Sequence, residues 1–429
     1  MALHADTIWE VRTAGDNQNG GGFHNRVPGT SVDYTFQNAP QLDLTDLACA
    51  GAGVTTITSA VGGFTAAMVG NLIKFHAGAN FLTEFFEIVT VNSANSVTLD
   101  RTPATGVGAN GHGKVGGGQA NVDLIDVVVV PGNIIYIQNG IYAAHPALTF
   151  TNPYTRALPL VIWGYNGVRN TIPSGTNRPT IQMGANQITV FNFIQIRNIQ
   201  FEGTADGIIQ SATPGVTCPT VGFNNVKFTN LKSTAGDASC VKMLQNFSFA
   251  CLYTFIDCEF MGTPGANSMG INNNSDQYAK PVFVLNCYFH DLSYGIISHP
   301  ASNCGIEAIF SIFAKIWVNG ITGNATVCSR IINCTFDTVG VHGCSNLGYG
   351  SVFINNSFSN CVTSGINSAG MLVMNNNFFG CGTPWIGGTL NPVDNNTFIA
   401  PQFVTPGSNY ALQRTSGLID RAFSMRLGV

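Results

Sequence analysis

The sequence predicts an all-β chain: a right-handed, single-stranded parallel β-helix with an N-terminal cap and a small inserted antiparallel β domain. Three observations carry this. A short frame, [Asn/Asp]-x-x-Phe, recurs eight times after residue 196. Short β-rich runs punctuated by Gly and Asn surround each copy, with no 3.6-residue periodicity. Only 9% of the 429 residues are charged, against about 25% in an ordinary soluble domain.

The frame reads Asn198-Ile-Gln-Phe201, Asn225-Val-Lys-Phe228, Asp257-Cys-Glu-Phe260, Asn286-Cys-Tyr-Phe289, Asn333-Cys-Thr-Phe336, Asn355-Asn-Ser-Phe358, Asn375-Asn-Asn-Phe378 and Asn395-Asn-Thr-Phe398. Successive Phe residues lie 27, 32, 29, 47, 22, 20 and 20 positions apart. The interval of 47 is about two periods, so Phe310 to Gly320, with Trp317, is expected as a degenerate coil between them. β-runs such as Pro281 to Leu285 and Ser351 to Ile354 precede the Asn, and Gly-Ile pairs follow the Phe at Gly207, Gly270, Gly295 and Gly365. Repeats of 20 to 30 residues built this way stack as β coils, each placing a given side chain about 4.8 Å above its equivalent. Stacked Phe make an internal aromatic column. Stacked Asn form an amide ladder and accept the left-handed backbone of a tight bend. The residue after the frame Asn runs Ile199, Val226, Cys258, Cys287, Cys334, Asn356, Asn376, Asn396, which makes the cysteines small buried hydrophobes. The shortage of charge follows too, since like charges stacked rung on rung repel.

These coils, together with Val130-Pro-Gly-Asn-Ile-Ile-Tyr-Ile-Gln-Asn-Gly-Ile-Tyr142 and Leu160-Val-Ile-Trp-Gly-Tyr165, resemble the pectin-lyase-like β-helix superfamily over about residues 120 to 400. The segment Ile8-Trp-Glu-Val-Arg-Thr-Ala-Gly-Asp-Asn-Gln-Asn-Gly-Gly-Gly-Phe23 is similar to the cap that opens β-helical structural proteins of tailed bacteriophages. That resemblance implies a virion protein assembled in a host cytoplasm.

The expected organisation is a cap and first rung over 1–52, with a short helix at Asp43 to Ala50. A small antiparallel β domain follows over 53–101, then a Gly-rich linker over 102–120. The parallel β-helix occupies 121–400, and 401–429, carrying Arg414, Arg421 and Arg426, is a terminal cap or a docking strand. The start, Met-Ala-Leu-His-Ala-Asp-Thr, has no basic and apolar signal pattern. Reduced thiols rather than disulfides are therefore expected for the 12 Cys, 11 of which follow residue 200. No CxxC or Cys/His cluster at ligand spacing points to a metal. No apolar run reaches about 18 residues, because Pro131, Gly132 and Asn133 break Val127 to Tyr142. Net charge −4 leaves no basic patch for nucleic acid.

Candidate motifs are few. Gly106-Val-Gly-Ala-Asn-Gly111 matches GxGxxG, and Gly108 to Lys114 nearly matches a P-loop, but Val115 stands where Ser or Thr is needed and no helix-forming stretch follows. Gly111-His-Gly113 matches the Gly-His-Gly of polygalacturonases, a branch of the same superfamily. Those enzymes pair it with Asn-Thr-Asp and Asp-Asp aspartates that this chain lacks. The lyase branch needs several acidic residues for calcium and an Arg or Lys base, whereas residues 201–400 hold six Lys plus Arg and ten Asp plus Glu without a cluster. A glycosidase needs two carboxylates about 5–9.5 Å apart. Stacking offers Asp257 with Asp291, or Glu259 with Asp337, next to His290; isolated surface carboxylates are the simpler reading. His299-Pro300 and Val341-His-Gly343 read as loop or core. Asn-x-Ser/Thr at Asn246, Asn273, Asn324, Asn333, Asn355 and Asn395 are by-products of the ladders. No catalytic, cofactor or metal residue is therefore assigned. The expected function is a virion structural protein, a spike, fibre or capsid-decorating element. Its expected partners are copies of itself in a trimer, other virion proteins and a host surface polysaccharide. A tailspike-type polysaccharide depolymerase is the alternative, and a carbohydrate-binding adhesin without turnover a third.

Overall fold

A computed structural model describes residues 4–24, 38–143, 146–150, 154–169, 171–173, 175–190, 193–203, 207–211, 220–231, 238–245, 252–263, 268–275, 282–298, 305–388, 396–405 and 409–412. These residues are all-β, with two single 3-10 turns, Ala66–Met68 and Gly175–Asn177. No helix among them is long and apolar enough to cross a membrane. The chain divides into two compact units: Met1–Ile181 with Phe193–Ile199, and Gln182–Asn192 with Gln200–Val429.

In the second unit every coil repeats one plan of three strands. The frame residue sits at the bend between the first two, in left-handed backbone: Asn225, Asp257, Asn286, Asn333, Asn355 and Asn375 have φ of 52–57°, a conformation that Asn and Asp tolerate. The Phe three residues later faces inward on the second strand. The register pairs Phe201 with Phe228, Phe228 with Phe260, Phe260 with Phe289, and then Phe313, Phe336, Phe358 and Phe378 in turn. Ring centroids in this column are 4.4–5.6 Å apart and nearly parallel over most of it, each contact adding about 0.5–1.5 kcal/mol beyond burial. Phe313 splits the interval of 47 as expected, and Phe310 occupies the bend in place of Asn at φ 51°. Phe398 does not join the column: its ring is tilted, 6.3 Å from Phe378, and 58% exposed. Its frame residue Asn395 lies outside the described residues.

The residue after the bend forms a second buried column. The amide of Cys334 donates to Asn356 Oδ1 at 2.8 Å, that of Asn356 to Asn376 Oδ1 at 2.9 Å, and that of Asn376 to Asn396 Oδ1 at 2.7 Å. Higher in the same column Cys258 N donates to Cys287 Sγ and Cys287 N to Ser311 Oγ. No disulfide joins the described cysteines, and burial pushes the Cys334 thiol up to about 12.

The Gly-Ile pairs open the third strand, and packing explains them. A Cβ on Gly270, Gly295, Gly320, Gly343 or Gly365 would lie 2.6–2.7 Å from the Phe ring of the following coil, and would also strike the next carbonyl of that strand column. Only glycine lets the third sheet approach the aromatic column this closely. The Ile at the next position turns inward, in the register Ile271, Ile296, Ile321, Cys344, Ile366.

In the first unit Thr7–Val11 pairs parallel with Ile134–Gln138 and antiparallel with Gly22–His24. Ile134–Gln138 pairs with Leu160–Tyr165, and that strand with Ile194–Arg197. Trp9 Nε1 donates to Asn133 Oδ1 at 3.1 Å, and buried Glu10 binds Arg12, Arg169 and the Tyr165 hydroxyl. The same unit holds a closed six-stranded antiparallel barrel, in the order Leu42–Cys49, Thr56–Thr58, Ser96–Leu99, Phe85–Ser93, Leu72–Phe81, Ala104–Val115 and back to the first.

The barrel corrects two expectations. The short helix expected at Asp43 to Ala50 is the strand Leu42–Cys49, whose Leu44, Leu47 and Cys49 enter the barrel core across a register shift between Leu44 and Leu47. The residues 102–120 expected as a linker contain the longest strand, Ala104–Val115. Its glycines make room: a Cβ on Gly108 or Gly111 would lie 2.6–2.8 Å from the Phe81 ring, and one on Gly113 2.8 Å from Leu47. Phe403–Thr405 and Asn409–Leu412 form an antiparallel hairpin, while Arg414, Arg421 and Arg426 lie outside the described residues.

Gly295→Ala or Gly320→Ala should destabilise the second unit by about 1–3 kcal/mol through overpacking, read as a lower midpoint in urea at unchanged slope. An alanine tolerated at both positions without loss would contradict the packing described.

Candidate functional site

Lys227, Glu259, His290, Asp291, Lys315 and Asp337 lie on or beside the outward face of the second sheet, whereas Glu307 and Arg330 pair on the first sheet. On each second strand the residues flanking the inward Phe point out, and stacking aligns them in two columns. One reads Lys227, Glu259, Tyr288, Ile312, Thr335, Ser357; the other reads Met261, His290, Ala314, Asp337, Ser359. The residue two after the Phe forms a third column, and it too is left-handed: Asp291, Lys315, Thr338, Asn360 and Gly380 have φ of 52–64°.

A polar chain runs coil on coil at one end of this face. Lys227 Nζ lies 2.9 Å from Glu259 Oε1, which lies 3.2 Å from His290 Nε2, while His290 Nδ1 lies 2.7 Å from Asp291 Oδ2. Each ring nitrogen thus faces one carboxylate, and the Tyr288 ring stacks on the imidazole at 4.2 Å. Burial works against ionisation of Glu259, but hydrogen bonds from His290 and Lys227 and the Lys227 charge outweigh it and hold the carboxyl at about 2. Tyr288 is pushed up to about 12 by burial and by Asp291, Glu259 and Asp337.

Two coils beyond Asp291, Asp337 has the opposite character. Only 6% exposed, it is raised by burial against the pull of hydrogen bonds that include Asn360 Nδ2 at 3.2 Å. Two adjoining grooves open here. One, of 270 Å³, is lined by Asp291, Lys315, Trp317, Thr338, Asn360 and Val362 among others; Trp317 and Val362 are 53% and 69% exposed. The other, of 350 Å³, is lined by Asp337, Thr338, Ser359, Asn360, Phe379, Pro401 and Phe403, so Thr338 and Asn360 border both. The C-terminal hairpin closes one side, with Phe403 and Tyr410 packed on Ala314, Tyr288 and Ile312.

Of the sequence candidates, Glu259, His290 and Asp291 come together in one hydrogen-bonded chain. Asp337 stands two coils from Asp291 and three from Glu259, about 10 and 14 Å at ~4.8 Å per coil. Asp257 does not join them: it occupies the bend on the other side of its strand, where Asn286 Nδ2 donates to it at 2.6 Å. His342 lies on the third sheet, bonded to Ser364 and Asn367. Gly106 to Gly113 are barrel strand, and Lys114 pairs with Asp16 at 2.7 Å, so no phosphate loop exists there. His299, Pro300, Asn246 and Asn395 fall outside the described residues. Asn273 and Asn324 are buried, and Asn333 and Asn355 are bend residues. Sequence reasoning missed the Asp291–Lys315–Thr338–Asn360 column because its members share no residue type; the fixed offset of two from the column Phe was the available signal. Among the described residues the group of His, Cys, Asp and Glu at metal-ligating spacing is His4, Asp6 and His24, in the first unit.

No known family profile and no curated protein sequence matches this chain. Among solved structures it is similar to a mannuronic acid specific polysaccharide family 6 lyase from human gut microbiota, at 13% identity and TM-score 0.41, covering 60% of this chain and 62% of that one. It is also similar to a rhamnogalacturonan lyase, at 13% identity and TM-score 0.41 over 67% and 86% of the two chains, and to pectate lyase Pel9A, at 12% and 0.38 over 70% and 85%. The chain thus spans under two thirds of the first of these.

Glu259 titrates near 2 when folded and near 4.5 when free, so its ionic contribution is present above about pH 4.5 and lost as pH falls through about 2. Because the cluster is partly solvated, Glu259→Gln should lower unfolding free energy by about 1–2 kcal/mol at pH 7. In chemical denaturation the difference from the parent chain should shrink towards zero near pH 2. A constant difference across that window would contradict the ionic origin.

Proposed function

We propose that this chain is a polysaccharide depolymerase whose glycan lies along the grooves beside the Asp291–Lys315–Thr338–Asn360 column. The observation that carries the reading is that two carboxylates, Asp337 and Asp291, border adjoining grooves on one surface. Asp337 is raised by burial and suits a general acid, while Asp291 is held against His290 and suits a base. Two coils set them about 10 Å apart along the stack, just beyond the roughly 6.5–9.5 Å between the carboxyl groups of inverting glycosidases, a gap that side-chain rotation can close. In this reading Asp337 protonates the departing glycosidic oxygen, and Asp291 takes a proton from the water that attacks the anomeric carbon. Trp317, half exposed at the groove wall, offers a face for a sugar ring, and Lys315 and Asn360 offer hydrogen-bond donors.

A second reading, the structural element of a tailed-phage virion, is supported by the Thr7–Val11 and Gly22–His24 hairpin, which ends the first sheet of its unit as a cap would. A trimer in contact with other virion proteins and a host glycan belongs to that reading. Light scattering near the monomer mass of 45.4 kDa would remove the trimer.

On a panel of bacterial surface polysaccharides and plant and algal polyuronates, the chain should release reducing ends without an unsaturated, ultraviolet-absorbing product. Asp337→Asn and Asp291→Asn should each lower the rate at least about 100-fold, and Trp317→Ala should raise KM about tenfold. An unsaturated product would replace hydrolysis by elimination, and full activity in both Asn variants would sink the assignment.

A further inference from the structure

We propose that His4, Asp6 and His24 form a binding site for one divalent transition-metal ion, which staples the open end of the N-terminal hairpin. The hairpin ladder brings them together, because Thr7 lies opposite His24 in the register, and Asp6 and His4 come just before Thr7. One ligand atom from each residue lies within 4.8 Å of the other two. The imidazole rings of His4 and His24 are 3.7 Å apart between centroids, and His4 Nδ1 lies 3.8 Å from Asp6 Oδ2.

Donors about 2.0–2.1 Å from a tetrahedral ion lie roughly 3.4 Å from one another. Binding draws the donor atoms in by up to about 1.4 Å and parts the two rings from 3.7 Å to about 5 Å between centroids, and the His4 and Asp6 side chains, 47% and 56% exposed, can make both moves by rotation. Two imidazoles and one carboxylate select zinc, copper, nickel or cobalt over magnesium and calcium, which prefer an all-oxygen shell. Three protein ligands leave a further position to water.

The experiment uses the full chain without a histidine tag. Zinc chloride is titrated in competition with a chromophoric chelator, and cobalt(II) is titrated separately as a spectroscopic probe. One equivalent of each ion should bind, with a visible cobalt band, and zinc should raise the melting temperature. His4→Ala and His24→Ala should each weaken zinc at least tenfold and remove the band, with Asp6→Asn intermediate. Should His24→Ala fail to fold, the exposed His4→Ala decides. His112→Ala, whose ring faces His76 at 5.8 Å, should leave binding unchanged. Absence of binding, or binding that survives His4→Ala and is lost in His112→Ala, overturns the proposal.

Discussion

Stacking in register is the constraint on which the second unit depends. Each coil must present the same inward residue at the same place, because its neighbour lies only about 4.8 Å away. The Phe column from Phe201 to Phe378 meets this by offset rings, and it forces glycine on the third strand, where Gly270 to Gly365 have no space for a Cβ. The bends answer with Asn and Asp in left-handed backbone, and the position after them with Asn side chains that take up the amide of the preceding coil.

The same constraint explains where charge is allowed. A column of like charges would repel at every coil, so ionic groups survive where signs alternate. Lys227 and Glu259 do so on adjacent coils, with His290 between Glu259 and Asp291, and Asp337 is held against the cost of its burial by Asn360 among its partners. In a chain with 9% charged residues, this concentration on one face, beside grooves bordered by an exposed Trp, is what distinguishes that face from the rest of the coil surface.

Much of this was legible in the sequence, and what was not has physical reasons. The Asn frame, the Phe column, the buried cysteines and the hidden coil at Phe313 all follow from repetition, since one residue type recurs at one offset. The barrel strand Ala104–Val115 was hidden because glycine signals flexibility in isolation, whereas here it makes room for Phe81 and Leu47. The strand Leu42–Cys49 buries Leu44, Leu47 and Cys49 across a register shift, and its three-residue step from Leu44 to Leu47 is also the spacing of a helix turn. At the site, Glu259, His290, Asp291 and Asp337 were visible as carboxylates and a histidine on nearby coils. Their grouping was not, because it depends on which side of a strand each residue leaves: Asp257, two residues from Glu259, belongs to the opposite bend.

The most direct measurement of the central claim is the unfolding free energy of Phe313→Ala in urea, with amide exchange read coil by coil. Phe313 is fully buried between Phe289 and Phe336. If the aromatic column holds the stack, the substitution costs about 3–5 kcal/mol, and protection falls in the coils of Phe289 and Phe336 as well as its own. A loss below about 1 kcal/mol, with exchange confined to the mutated coil, would contradict it.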